Sequence, residues 1–199
     1  MQEAIDQFRA NIRRVRNLGA LYKAMSAQTT QALDLSDLLR AQLVTAVSAL
    51  DHFVHEVVRF GMLQTYRNKR KPTRAFLQFS IAVESVQQAL ANPSSDDWLE
   101  SEIRARHGWR SFQQADKVTE AVRLVSDVKL WEEVGGRLGK PPQDIKQQLN
   151  LIVDRRNKIA HEADIDPTFP GRRWPINEVL VNQAIDFVEL VVEAIHSIL

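Results

Sequence analysis

Three side chains near one end of a predicted helix carry the groups needed to break a phosphodiester bond: Arg156, Asn157 and His161. Asn157 and His161 are four residues apart, so a helix puts them on one face. Arg156 comes five before the histidine and projects to the flank of that face, while Arg155 lies further round. A histidine takes or gives a proton near neutral pH. An arginine holds a phosphate through two parallel hydrogen bonds and offsets charge in the transition state. The asparagine amide can orient a phosphate or a 2′-hydroxyl. The same pattern has an ordinary structural reading. Basic residues gather at helix C-termini, where a histidine also interacts favourably with the dipole, and a short motif alone is only a hypothesis.

Other constellations are weaker. Asp51, His52, His55 and Glu56 could pass for a metal cluster, but Glu56 follows the second histidine, unlike the zinc-peptidase spacing. They read better as a polar stripe on a half-buried helix, with Asp51 expected to pair with an arginine of the motif. The segment Gly135-Gly136-Arg137-Leu138-Gly139-Lys140 is one residue short of a phosphate loop and runs into Pro141, so a helix stop is the better reading. Four tryptophans, at 98, 109, 131 and 174, are core anchors or stacking platforms for bases. Trp109, beside Arg110, and Trp174, in a loop, are the two candidates for the second role.

The chain that must position these groups has 199 residues, 44% of them hydrophobic, which fits one domain spanning 1–199 with a sizeable core. Lys and Arg number 26 against 25 Asp and Glu, so the net charge is +1. That balance argues against coating nucleic acid by bulk charge and leaves room for a local basic site. The runs Arg67 to Lys71 and Arg172-Arg173 read as solvated turns. No cysteine is present, which excludes disulfides, thiolate zinc sites and cysteine nucleophiles and is compatible with a cytoplasmic location. The N-terminus is too polar for a secretory signal, and no apolar run approaches a membrane span.

Periodicity predicts helices throughout. Ile5, Phe8, Ile12, Val15, Leu18, Tyr22 and Met25 form one stripe, followed by a polar stretch from Ser26 to Asp34. Ser36 is the expected cap of a long helix bearing Leu39, Leu43, Val47, Leu50, Val54, Val57 and Met62, whose end Gly61 weakens. Lys69 to Thr73 is a basic turn. Short helices are expected over 80–91, from Trp98 to near Gly108, over 116–126 and over 129–138. They form a small insertion between two helical hairpins, too thin in apolar residues for a core of its own. Pro142 opens the motif helix, which ends around 161–163; 164–175 is a loop, and Asn177 caps the last helix.

The stretch from Asp154 to Glu162 resembles the signature of HEPN domains: an arginine, four to six residues, then a histidine, often with a polar residue after the arginine. Arg156, Asn157 and His161 match these positions. Arg155 also falls within the allowed spacing, so which arginine acts stays open. The helix segment Ala49 to Glu56 and the tail His161 to Pro167, with Arg173-Trp174-Pro175-Ile176 behind it, are similar to the RiboL-PSP branch. The resemblance covers most of the chain, more weakly between Ser80 and Leu138.

It implies an all-α, HEPN-type bundle that forms a homodimer, in which two motifs face each other and build one RNA-cleaving site. It further implies an endoribonuclease that needs neither metal nor other cofactor, acting as a toxin or antiviral defence effector, with an antitoxin or defence-complex partner. Arg156, Asn157 and His161 would be catalytic, and Arg155, Asp51 and Glu162 supporting. Some HEPN domains only bind RNA, so a non-catalytic RNA- or protein-binding module is the first alternative. A metal-dependent hydrolase using His52, His55 and Glu56 is the second.

Overall fold

The computed structural model describes residues 1–30, 33–169 and 171–199. Gln31 and Ala32, in the polar stretch after the first helix, and Pro170, in the loop before the last, lie outside the described residues. Among the described residues the fold is all α: α1 (Gln2–Ser26), α2 (Ser36–Tyr66), α3 (Arg74–Leu77), α4 (Val83–Ala91), α5 (Asp97–His107), α6 (Ala115–Val122), α7 (Leu130–Leu138), α8 (Pro142–His161) and α9 (Glu178–Ile198). No helix among them is long and apolar enough to cross a membrane.

The stripes read from the sequence are largely the buried faces, although the first is only half-buried beyond Val15, at Leu18, Tyr22 and Met25. Ile5, Phe8, Ile12 and Val15 of α1 pack along α2, and Leu39, Leu43, Val47, Leu50, Val54, Val57 and Met62 of α2 are all buried. The 31-residue α2 is the central rod, touching α1, α5, α6, α8 and α9. Ile145, Leu149, Ile152 and Val153 anchor α8, and Val181, Ile185, Val188, Val191, Val192 and Ile195 anchor α9. One continuous cluster of buried residues also takes in Phe112, Val118, Val122 and Val134, so α5 to α7 share the core of the long helices.

The ends differ from expectation in instructive ways. Ser36 is not the cap of α2: its hydroxyl accepts from Arg40 Nη1 at 2.6 Å, and Leu35 takes the cap position. α2 continues through Gly61 to Tyr66. A Cβ at Gly61 would come within 2.5 Å of Val125, so the glycine lets the loop after α6 sit against the helix. The basic turn leads into a short helix, α3, that apolar periodicity did not predict; Thr73 caps it by accepting from Phe76 N at 3.0 Å. The next helix begins at Val83 rather than Ser80. Gly139, at φ 62°, ends α7 in the left-handed conformation, and Asn177 caps α9 through Leu180 N.

Candidate active site

The motif helix α8 presents different side chains on its two flanks. Arg156, Asn157 and His161 line an open cleft of about 630 Å³, together with Val153 and Glu162. The opposite wall is the loop 109–114 between α5 and α6, with Lys117 and Glu120 from α6. Arg156 Nη1 donates to Asn157 Oδ1 at 2.9 Å, which fixes the guanidinium beside the amide. Its Nε is buried without a hydrogen-bond partner, and it makes no ion pair among the described residues. No carboxylate among the described residues lies within ion-pair distance of it, although Glu120 and Glu162 line the same cleft. Lys117 and Arg110 hold the Glu120 carboxyl below its usual range, so the facing wall carries a neutralised acid between two cations.

Arg155, the neighbouring residue, is engaged elsewhere. Its Nη1 lies 2.6 Å from Asp164 Oδ1, and its Nη2 donates to Oδ2 at 2.9 Å. The first is a close charge contact rather than an aligned hydrogen bond, since Oδ1 lacks a well-directed donor. Asp164 is 1% exposed and also takes Arg40 Nε at 2.7 Å. Arg40 Nη2 and Arg155 Nη2 both reach Trp174 O. Burial pulls the Arg155 guanidinium down from its usual value, and Asp164 opposes that pull.

This clamp shapes the end of α8. Ala163 and Asp164 have φ of 52° and 59°, left-handed values that side-chain-bearing residues seldom adopt. The turn they make brings the N–H groups of Glu162 and Asp164 back to Lys158 O, each at 3.0 Å. Trp174 N donates to Asp164 O at 2.8 Å and closes the loop. His161 therefore sits on the last turn of a helix whose exit is fixed by the buried Arg40 and the half-buried Arg155 on one buried carboxylate. Asp164 was legible only as part of the family-like tail, and Arg40 carried no signal, being one charged residue among many on a long helix.

Asp51 does not pair with an arginine of the motif. Its carboxylate accepts from Phe112 N at 2.6 Å and Gln113 Nε2 at 3.1 Å, because the loop after α5 presents two unsatisfied donors directly over α2. The residue supports the far wall of the cleft rather than the motif side. His55, one turn on, packs on Phe112 with ring centroids 4.6 Å apart, and its Nε2 lies 3.2 Å from Arg110 O. Glu56 is bound to Arg59 at 2.6 Å, and His52 is exposed. Among the described residues no three His, Cys, Asp or Glu side chains are grouped so as to hold a metal ion. Glu162 lies on the rim of the cleft as the C-cap of α8.

The profile of the RiboL-PSP-HEPN family matches residues 9–199. The chain belongs to the RiboL-PSP-HEPN family. The match runs through the insertion, where the sequence resemblance was weakest, and through the whole cleft and the clamp. HEPN domains are commonly ribonucleases, and the basic, histidine-bearing cleft lies inside the matched region. No curated protein and no solved structure matched the chain.

Proposed function

We propose that this HEPN protein is an endoribonuclease that cleaves RNA by acid–base chemistry without a metal, at a composite site in a homodimer. The observation that carries the reading is the sorting of the two adjacent arginines: Arg155 is consumed by Asp164, while Arg156 stands unpaired beside Asn157 and His161 in an open cleft. In this reading the 2′-hydroxyl attacks the neighbouring phosphorus, the bond from phosphorus to the 5′-oxygen breaks, and a 2′,3′-cyclic phosphate and a free 5′-hydroxyl result. One group takes the 2′ proton and another gives a proton to the leaving oxygen. Arg156 holds the non-bridging oxygens and offsets their charge, and Asn157 keeps the guanidinium aligned.

One chain offers a single histidine, His161, at this cleft for these two transfers. A second copy related by a two-fold axis supplies the other histidine and another Arg156. The exposed face of α8 supports such pairing: Gln147, Leu151, Asp154, Lys158 and His161 recur at helical spacing along it, and Leu151 is 61% exposed. Asp154 and Lys158 have opposite signs, so two copies of this face, laid antiparallel, complement each other. Action as a toxin or antiviral effector, restrained by an antitoxin or defence-complex partner, is the biological setting that the family resemblance suggests.

The deciding experiment is cleavage of purified RNA in EDTA by the wild type and His161→Ala, with the new ends analysed. Cyclic phosphate ends that depend on His161 are expected. Wild-type RNA binding with no cleavage would instead support the non-catalytic module.

A further inference from the structure

The wall facing the motif holds a residue that neither acid–base chemistry nor packing accounts for. Trp109 is 76% exposed, the most exposed large aromatic side chain among the described residues, at the start of the loop that lines the cleft. The other tryptophans are otherwise employed. Trp131 is buried and donates to Ala115 O and Thr119 Oγ1. Trp98 meets the edge of Tyr66, and Trp174 lies under Lys158 in the clamp loop. Leaving an indole in water without function is unfavourable by the area it exposes.

Its surroundings point to a ligand. Arg110 lies 5.3 Å from the Trp109 ring centroid, a cation on the π face. A second open cleft, of about 610 Å³, begins on the other side of the same residues: Trp109, Arg110, Phe112 and Glu120 line both. The Trp109–Arg110 segment is thus a ridge between two troughs. His107, 4% exposed, lines the second trough, and its buried Nδ1 has no hydrogen-bond partner. Arg123, exposed and without an ion pair among the described residues, lines the same trough. One trough therefore ends in the unpaired Arg156 and the next holds the unpaired Arg123, with an aromatic face between them.

We infer that a single-stranded segment of RNA crosses this ridge, one base stacking on Trp109 while the backbone continues from the catalytic cleft toward Arg123. The inference deepens the endoribonuclease reading and rests on it for the direction of the strand. Stacking on a side chain needs a base that is free of its neighbours, so duplex RNA is excluded from the ridge. A net charge of +1 gives little bulk attraction for phosphates, and stacking then provides affinity that bulk charge does not. Asp51 and His55 give the platform its rigidity by holding Phe112 and Arg110 against α2.

The test is binding of a short 2′-O-methyl RNA, which cannot be cleaved, to the full chain, read by tryptophan fluorescence and by anisotropy of a labelled strand. Trp109→Ala should weaken single-strand binding roughly 5- to 150-fold, the range of one stacked base. Trp109→Phe should keep most of the affinity and lose most of the fluorescence quench. An abasic site at the stacked position should weaken wild type and leave Trp109→Ala unaffected. Arg123→Ala should reduce the slope of log affinity against log salt by about 0.7. Circular dichroism of the variants checks the fold, which the exposure of both residues leaves intact. Unchanged affinity in Trp109→Ala, equal binding of duplex, or no binding by wild type would overturn the inference. Because the ligand resists cleavage, these outcomes are independent of whether His161 cleaves RNA.

Discussion

Arg155 and Asp164 are bound to each other twice across the end of α8, at 2.6 and 2.9 Å, in a site where the carboxylate is 1% exposed. The pairing removes one of two adjacent arginines from the cleft and leaves the other. It also satisfies a charge that burial would otherwise make very costly.

The first prediction separates the two arginines. Arg155→Ala should lower stability by about 2–3 kcal/mol, less than the roughly 3–5 kcal/mol of a fully orphaned buried charge, because Arg40 stays on Asp164. Residual cleavage should remain. Arg156→Ala should abolish cleavage with stability almost unchanged, and Arg156→Lys should not restore it, since an ammonium lacks the planar two-pronged contact. Urea unfolding combined with single-turnover cleavage of one defined RNA measures both effects. Equal loss of cleavage in the two alanine variants contradicts the division of roles.

A second prediction concerns the clamp itself. Asp164→Asn keeps a residue type that tolerates a left-handed backbone but leaves Arg40 and Arg155 without their shared counter-charge. Stability should fall by several kcal/mol, and whatever activity persists should be reduced, because the last turn of α8 carries His161. If Asp164→Asn is as stable as wild type in thermal unfolding, the clamp does not hold the end of the helix.

His161→Ala and Leu149→Ala should behave as opposites. Leu149 is 0% exposed in the core, so its truncation should lower stability by roughly 2–5 kcal/mol. His161 is exposed, so its loss should leave unfolding unchanged while cleavage disappears. An unfolded His161→Ala would assign the motif a purely structural role.

Stability should also depend on mild acid through His107. Burial pushes its pKa from 6.5 down to about 4, with the His55 and Arg110 charges acting in the same direction and Glu120 against them. The unfolded chain binds a proton between those values that the folded chain rejects. The contribution is therefore fully present above pH 6.5 and is lost as pH falls toward 4. Its size is at most about 3 kcal/mol, lowered by water in the adjoining cleft. His107→Phe, which preserves the contacts with Phe79 and Phe112, should flatten the pH dependence of unfolding. An unchanged slope in this variant would show that other groups set the acid limit.

Assembly is the last expectation. Light scattering should show a dimer at micromolar concentration, and Leu151→Asp should shift it toward monomer without unfolding, since Leu151 is exposed on each chain. A mixture of His161→Ala and Arg156→Ala chains would then test whether the site is shared. A strictly monomeric wild type would remove the composite site.

By itself the sequence determined the long helices and most of their buried faces, though not the short α3, because a 3.6-residue apolar period reports burial wherever one side of a helix meets a core. The same spacing placed Asn157 and His161 on one face, since that relation is internal to a single helix. Tertiary structure decided everything that depends on a second element. Asp51 lies on α2, and only the arrival of the loop after α5 reveals that its partners are Phe112 and Gln113. Arg155 and Arg156 are chemically identical, and only the folding back of Asp164, reinforced by Arg40 from α2, divides them into clamp and cleft. Spacing along one helix is fixed by backbone geometry, whereas ion pairs between elements depend on which helices the core brings together.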